Sequence, residues 1–265
     1  MTSSKHRRTF LLALYCSGTL FLGSSGLLGA QEPDAQESPA GERPAVHESG
    51  TKASAIVLAE RLMQRQTPEL LLDPVRRDGL IHEIAGVLAQ IREAYPEMME
   101  ISARQAFEPG MLLLGLEMDL LEAVSDAVAH GNAPATHTGQ ARFDALNATL
   151  GLSDMQLFRH VGVVALHFDG PVSLYAACRA YREIPGVRFA EPDMRTGDGP
   201  DMDVAKVQGT WYVIARKAWG DCPAGCIHEE FLYFTAGEGL ARRIEASRAM
   251  EMQGFAQIMA YRGWN

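Results

Sequence analysis

TWYVIARKAWGDCPAGCIHEEFLYFT, residues 210–235, is the most distinctive segment of the sequence. It contains two runs rich in aromatic and β-branched residues, 210–218 and 227–235, and such runs are typical of strands. The glycines and the proline between the runs are typical of a tight bend, and Cys222 and Cys226 flank its tip. The segment therefore predicts a long β-hairpin in the C-terminal part of the chain.

Short helices and strands alternate in the sequence before this hairpin. A proline follows Asp73, an arrangement that favours a helix start with Asp73 as N-cap. Helices are predicted over 53–66, 74–95, 120–130, 140–150 and 171–181. Strands are predicted over 98–107 and 111–118 (a hairpin turning at Glu108-Pro109-Gly110), 155–159, 161–168, 187–190 and 240–244, and the tail to Asn265 is either a helix or irregular.

This order of elements predicts an α+β fold, with short helices packed on an antiparallel-rich sheet and a long C-terminal β-hairpin. The sequence divides into residues 53–138, a helix–hairpin subdomain, and residues 139–265, an α+β subdomain that carries the cysteine hairpin. A single unit and two closely coupled subdomains of similar size are both compatible with the pattern.

The N-terminus has the pattern of a cleavable export signal. Basic residues precede an apolar stretch over 10–28, which ends on the small residues Gly29 and Ala30. We expect residues 1–30 to be a signal peptide, cleaved near Ala30 after export by the Sec or the twin-arginine route. Residues 31–52 are rich in proline and glutamate and nearly devoid of apolar side chains, so they are predicted to be a disordered linker. The expected location is periplasmic or secreted.

The net charge of the chain without the predicted signal limits the classes of partner that we expect. The predicted signal carries three of the 24 basic residues and none of the 33 acidic ones, so the rest has a net charge of −12. Nucleic acids and anionic membranes select clustered Lys and Arg. We therefore expect neither nucleic-acid binding nor stable membrane insertion after cleavage. The sequence contains no phosphate-binding glycine motif and no nucleophile elbow, so no cofactor and no catalytic residue are predicted.

The cysteines raise three alternatives for the hairpin. Cys16 leaves with the signal, and disulfides persist in oxidising compartments, which favours a structural disulfide between Cys222 and Cys226. In a hairpin their α-carbons can fall within the ~4.4–6.8 Å that a disulfide requires. A redox-active pair ordinarily has two intervening residues at a helix N-terminus, whereas here there are three, followed by a strand. A metal site from Cys222, Cys226 and His228 would have three ligands in poor tetrahedral geometry, so no metal is predicted.

Cys178 is expected to be a buried small apolar residue.

The rigid bend would present a small set of candidate binding residues. They are Trp219, Asp221, His228 and Glu230. An acid–base role would require His228, Glu230 and Asp221 to converge in a cleft with shifted pKa values. Successive strand residues point to opposite faces, so His228 and Glu230 are expected on one side and Glu229 on the other.

Three segments in the second half of the chain carry a resemblance. GTWY at 209–212, AWGDCPAGCI at 218–227 and FLYF at 231–234 resemble a group of uncharacterised bacterial secreted proteins with a WGDCPAGC-type cysteine hairpin. The resemblance extends back to residues 181–192. It implies export and the closed hairpin, and it implies no activity.

A second resemblance concerns residues 163–193, and above all YREIPGVRFAEPD at its end. This stretch is similar to the end of subtilisin-type propeptide inhibitor domains, where a strand–helix–strand layout finishes on a comparable strand. The resemblance implies a domain that packs its sheet on a protease.

Together these features predict an exported, non-enzymatic protein that binds a protein or envelope component through its hairpin. A peptidase-inhibitor-like domain is the first alternative. A periplasmic enzyme, or a metal or redox site at residues 222–228, is the second.

Overall fold

The computed structural model describes residues 43–129, 137–195, 197–222 and 224–264. The predicted signal peptide and the predicted linker up to residue 42 lie outside these ranges. The first helix begins at Arg43, so the linker prediction is wrong for residues 43–52, and helical structure begins before Ala53. No helix within the described ranges is long and apolar enough to cross a membrane.

The described residues form seven α-helices, one 3₁₀ helix and eight strands. The helices are α1 (Arg43–Gln66), α2 (Pro74–Ala94), a 3₁₀ helix (Pro96–Glu100), α3 (Met118–Ala129), α4 (Ala141–Leu150), α5 (Leu174–Arg182), α6 (Ala246–Ala249) and α7 (Gln253–Arg262). The strands are β1 (Phe107–Leu116), β2 (Leu152–Phe158), β3 (Val163–Phe168), β4 (Val187–Met194), β5 (Asp201–Val207), β6 (Thr210–Trp219), β7 (His228–Gly237) and β8 (Leu240–Ile244).

The first sheet has four strands in the order β2-β3-β1-β4, and every neighbouring pair is antiparallel. Along the chain its elements follow a β-α-α-β-β-α-β order, which has one helix more than the split βαβ arrangement of ferredoxin-like domains. Apolar side chains from α3, α4 and α5 pack on one face of the sheet. The fully buried Tyr181 and Phe143 lie in this core with their rings 5.8 Å apart.

The predicted hairpin over 98–118 is wrong. Residues 107–116 form the single strand β1, paired with β3 on one side and β4 on the other. Pro96 opens a 3₁₀ turn, which removes residues 96–100 from any strand. The turn-like Glu108-Pro109-Gly110 coincides with a register shift between Phe107 and Leu112, and such an irregularity tolerates a proline that cannot donate to the ladder.

The second sheet is an antiparallel meander in the order β5-β6-β7-β8. Helices α1 and α2 cover one face of it, and α7 covers the other. The pairing of β6 with β7 runs in unbroken register from Trp211 opposite Ala236 to Trp219 opposite His228. This confirms the predicted C-terminal hairpin, while β5 is a strand that the sequence analysis did not predict.

The α+β fold class is confirmed, with two antiparallel sheets covered by helices. The sheets divide the chain between β4 and β5, and the N-terminal helices α1 and α2 pack on the C-terminal sheet. The split into subdomains 53–138 and 139–265 stays a prediction, and it does not coincide with this division of the strands. The C-terminal tail, predicted to be either a helix or irregular, forms the helices α6 and α7.

Candidate functional site

The tip of the hairpin is closed by a covalent bond. Cys222 and Cys226 form a disulfide, as predicted, and their α-carbons are 3.9 Å apart, closer than the expected ~4.4–6.8 Å. Gly220 enters the tip with φ +100°, a backbone conformation that L side chains rarely adopt. A Cβ at this position would also lie 3.0 Å from Cβ of Ile227, so any other residue here would be strained and would displace the Ile227 side chain slightly.

The tip is also tied to the loop that precedes β5. The backbone N–H of Asp198 donates to the carbonyl of Cys222 at 3.0 Å, and the N–H of Cys226 donates to Oδ2 of Asp198 at 3.1 Å. Arg216 on β6 donates to both oxygens of the same carboxylate. The Arg216 hydrogen bonds, together with those from the Gly199 and Cys226 backbones, hold the pKa of Asp198 well below its usual range. One residue, Asp198, therefore binds both halves of the tip, the Cys222 half through its backbone N–H and the Cys226 half through its carboxylate.

The fastened tip exposes apolar surface. Trp219 lies opposite His228 in the strand register, and their ring centroids are 5.6 Å apart with an interplanar angle of 30°. Trp219 is 50% exposed and Ile227, its neighbour across the bend, is 69% exposed. These two residues and His228 form the tip patch, a small apolar surface on a preorganised support.

The other predicted candidates are Glu230 on β7 and Asp221 in the bend. Glu230 lies 3.8 Å from the ammonium of Lys217 and 3.9 Å from the guanidinium of Arg243, so its carboxylate is engaged by two cations. Asp221 lies in the bend after Gly220. These contacts bring His228 together with Trp219, and Glu230 together with two cations.

The metal alternative for the hairpin has no support in the geometry. The sulfur atoms of Cys222 and Cys226 are bonded to each other, and they are not present as thiolates that could ligate an ion. In the portion of the chain that the structure describes, no group of three His, Cys, Asp or Glu side chains is arranged to hold a metal.

A second polar site, which the sequence analysis missed, lies between α1, β5 and α7. Arg61 and Arg65 are one turn apart on α1, and they donate to the carbonyls of Met202 at 2.7 Å and Val204 at 3.2 Å. Helix residues four apart are separated by about 6 Å along the axis and strand residues two apart by about 6.7 Å, so the two repeats match. The two arginines thus cover the free carbonyls of an edge strand.

The same arginines form a buried ion-pair cluster with the acidic residues of β5. Asp201 lies 3.1 Å from Nη2 of Arg61 and also contacts Arg262 of α7. Asp203 contacts Arg65 and lies 3.7 Å from Nε of Arg262. Three guanidinium groups thus surround two carboxylates, and the side chains of Arg61, Asp201 and Asp203 are at most 5% exposed.

The signal for this cluster was weak in the sequence. Residues 201–207 follow a Gly/Asp/Pro loop, and two aspartates in the first three positions of a strand are unusual. Met202 and Val204 alternate with Asp201 and Asp203, however, and this alternation of period two was the available indication of a strand.

No family model, no curated protein and no solved structure matches this chain.

Proposed function

We propose that this is an exported, non-enzymatic protein that binds a protein partner through the tip patch. The observation that carries the proposal is the exposure of Trp219 and Ile227 on a tip held by a disulfide and by the Asp198 carboxylate. Large apolar side chains exposed in this way are ordinarily buried when a partner binds.

The rigidity of the tip supports this function. Binding costs free energy when loops and side chains become ordered, and a support that is already fixed avoids part of that cost. Tryptophan is enriched among the few interface residues that dominate binding energy. The stacking of Trp219 on His228 holds the indole ring in place before any partner arrives.

The disulfide and the basic, then apolar, N-terminal sequence support the proposed export. A disulfide persists in the periplasm or outside the cell and is reduced in most cytosols. An envelope component other than a protein would be expected to contact the same patch, and the experiment below identifies the chemical nature of the partner.

Site-specific photocrosslinking would test the proposal. A photoreactive phenylalanine analogue at Ile227 should crosslink the partner in intact cells, and the same analogue at the exposed Val75 on α2 should not. Trp219→Ala should lower the yield of the Ile227 crosslink more than tenfold, because interface hot spots contribute at least about 2 kcal/mol. Leu240→Ala, which removes a comparably exposed apolar side chain on β8, should leave the yield unchanged.

A second variant distinguishes the contribution of the closed bend from that of the Trp219 and Ile227 side chains. Replacing both Cys222 and Cys226 by serine keeps Trp219 and Ile227 and removes the closure of the tip, so the crosslink should weaken while circular dichroism stays native. A crosslink that persists equally in Trp219→Ala and in the double serine variant would refute the tip patch as the binding surface.

The first sheet supports a second candidate, a peptidase-inhibitor-like domain. The three helices that cover this sheet, α3, α4 and α5, all pack on one of its faces. Leu113, Val163 and Phe189 lie on the opposite face. They are partly exposed and belong to no apolar core of the described chain. A domain that docks its sheet on a protease presents such a face.

Titration of a subtilisin-type protease with the purified protein would test this candidate. Inhibition should be dose-dependent, and Val163→Glu should abolish it, whereas Trp219→Ala should have no effect. Unchanged proteolysis at a large molar excess of the protein would refute the inhibitor hypothesis.

A further inference from the structure

A cavity of about 380 Å³ lies beside the buried arginine–aspartate cluster. Helices α1 and α7 form one side of it, and β1, β4 and α5 of the first sheet form the other. Cationic groups and aromatic rings both line this cavity. Its lining residues are Arg61, Gln64, Ala106, Phe107, Tyr175, Arg179, Met194, Tyr261 and Arg262.

The charges around this cavity are unbalanced. Asp201 and Asp203 neutralise two of the three guanidinium groups in the cluster and leave one positive charge in excess. Arg179, at the opposite wall, is exposed and takes part in no hydrogen bond or ion pair with any residue that the structure describes. An anion in the cavity would therefore meet at least two uncompensated positive charges.

The burial of Arg262 is a second reason to expect an anion in this cavity. Desolvation lowers its pKa, and the attraction of Asp201 opposes that shift without reversing it. Its Nε is buried and has no hydrogen-bond partner among the described residues. A buried guanidinium is stabilised by a further anionic neighbour, because the Coulomb attraction is stronger in a low-dielectric site than in water.

Aromatic rings form the remaining wall. The ring of Phe107 is nearly perpendicular to that of Tyr175, with centroids 6.0 Å apart. Tyr261 donates a hydrogen bond to the hydroxyl of Tyr175 at 3.3 Å, and the guanidinium of Arg65 lies 4.0 Å above the Tyr261 ring. Burial and the hydrogen bond with Tyr261 raise the pKa of Tyr175, so its hydroxyl stays protonated and can donate to a ligand.

We propose that this cavity binds a small organic carboxylate with a flat apolar body. Arg262 and Arg179 would attract the carboxylate, Tyr175 would donate a hydrogen bond to it, and Phe107 and Tyr261 would contact the body. The volume lies in the ~300–1,000 Å³ range of pockets for small ligands, and a mostly apolar lining with a few polar groups is their usual composition. The site is separate from the tip patch and does not depend on its function.

Isothermal titration calorimetry with three probes would test the class of ligand. Phenylacetate has both the charge and the flat body, phenylacetamide has the body alone, and inorganic phosphate has the charge alone. We expect phenylacetate to bind at least tenfold more tightly than either of the other two. Equal binding of phosphate would overturn the requirement for an apolar body, and equal binding of phenylacetamide would overturn the role of the arginines.

Two exposed arginines provide a matched pair of variants. Arg179→Ala removes the unpaired cation at the cavity and should weaken phenylacetate binding about tenfold, since a hydrogen bond to a charged group is worth roughly that factor. Arg142→Ala makes the same change in net charge at an exposed residue of α4 that does not line the cavity and has no described partner. This variant should leave phenylacetate binding unchanged. An equal loss in both variants, or no loss in either, would refute the proposed site.

Tyr175→Phe adds a test that does not change charge. It keeps the ring and removes the hydroxyl, so phenylacetate should bind several-fold more weakly while phenylacetamide is affected less. Absence of phenylacetate binding to the natively folded wild-type protein at millimolar concentration would overturn the proposal outright.

Discussion

Asp198 and Arg216 form a two-point ion pair at the base of the hairpin tip. Nη1 of Arg216 lies 2.6 Å from Oδ1 of Asp198, and Nη2 lies 2.9 Å from Oδ2. Nε of the same guanidinium donates to Glu229 at 2.7 Å. Arg216 thus links both strands of the hairpin to the loop before β5, and Asp198 extends the link to the cysteine bend.

Replacing Asp198 should destabilise the folded protein. Asp198→Asn keeps the shape of the side chain and removes its charge, which leaves the nearly buried Arg216 without its two-point partner. We expect the free energy of unfolding to fall by about 1.5–3 kcal/mol, the range for hydrogen bonds to charged groups. Urea unfolding followed by circular dichroism would measure it.

Asp169→Asn is the matched control for that variant. Asp169 is exposed and has no described hydrogen bond, so its replacement should change the free energy of unfolding by less than about 0.5 kcal/mol. If the two asparagine variants are equally stable, the ion pair of Asp198 does not hold the tip.

The lowered pKa of Asp198 leads to a prediction of how stability depends on pH. The pKa of Asp198 is lower in the folded protein than the ~3.9 of an unfolded chain, so the unfolded state binds its proton first as the pH falls. Its contribution is complete above about pH 4 and is lost as the pH decreases toward the folded pKa. Urea midpoints between pH 3 and pH 7 should therefore fall less steeply in Asp198→Asn than in the wild type. Parallel curves would contradict the assignment.

Removing Arg61 should have a larger effect. Arg61→Met leaves the buried carboxylate of Asp201 short of one cation and the Met202 carbonyl without its donor. Removing one member of a buried ion pair ordinarily costs about 3–5 kcal/mol, because the remaining charge stays buried. Chemical unfolding would show this loss, and Arg142→Met on the exposed face of α4 should stay near the wild type. A loss below 1 kcal/mol for Arg61→Met would mean that water replaces the guanidinium.

Cys178 should be unreactive while the protein is folded. It lies buried on the inner face of α5, and desolvation raises the pKa of its thiol to about 11. At pH 8 roughly one thiol in a thousand is then ionised, and the thiolate is the reactive form. Iodoacetamide should label it in urea and not in native buffer, and intact mass would count the labels. Rapid labelling of the native protein would place Cys178 in an accessible position.

Local sequence signals predicted the elements whose stabilising contacts are themselves local. Asp73 caps α2 as expected, since its side chain accepts a hydrogen bond from the Val75 N–H at 2.9 Å. The β6–β7 hairpin and its disulfide also join residues that are near neighbours in the chain. The predictions failed where distant pairing decides: β1 is a strand because β3 and β4 flank it, and Glu108-Pro109-Gly110 is an irregularity in that strand.

The candidate sites also combine local features that the sequence predicted with long-range contacts that it did not predict. The sequence placed Trp219 and His228 near a closed bend, and the strand register shows that they lie opposite each other. It did not predict that Asp198, from a separate loop, would fasten that bend. Nor did it predict the contact of Arg61 with Asp201, which are 140 residues apart in the chain.

Local patterns in the sequence were enough to predict the α+β class, the start of α2, the C-terminal hairpin and the cysteine pair, because each depends on residues that are close to one another in the chain. The tertiary structure alone decided the sheet order, the exposure of the tip patch and the arginine-lined cavity. These features depend on which distant segments share a core or a charge cluster. A pattern of local preferences does not specify such long-range pairings, since their energies arise only when the two sheets and their helices have packed.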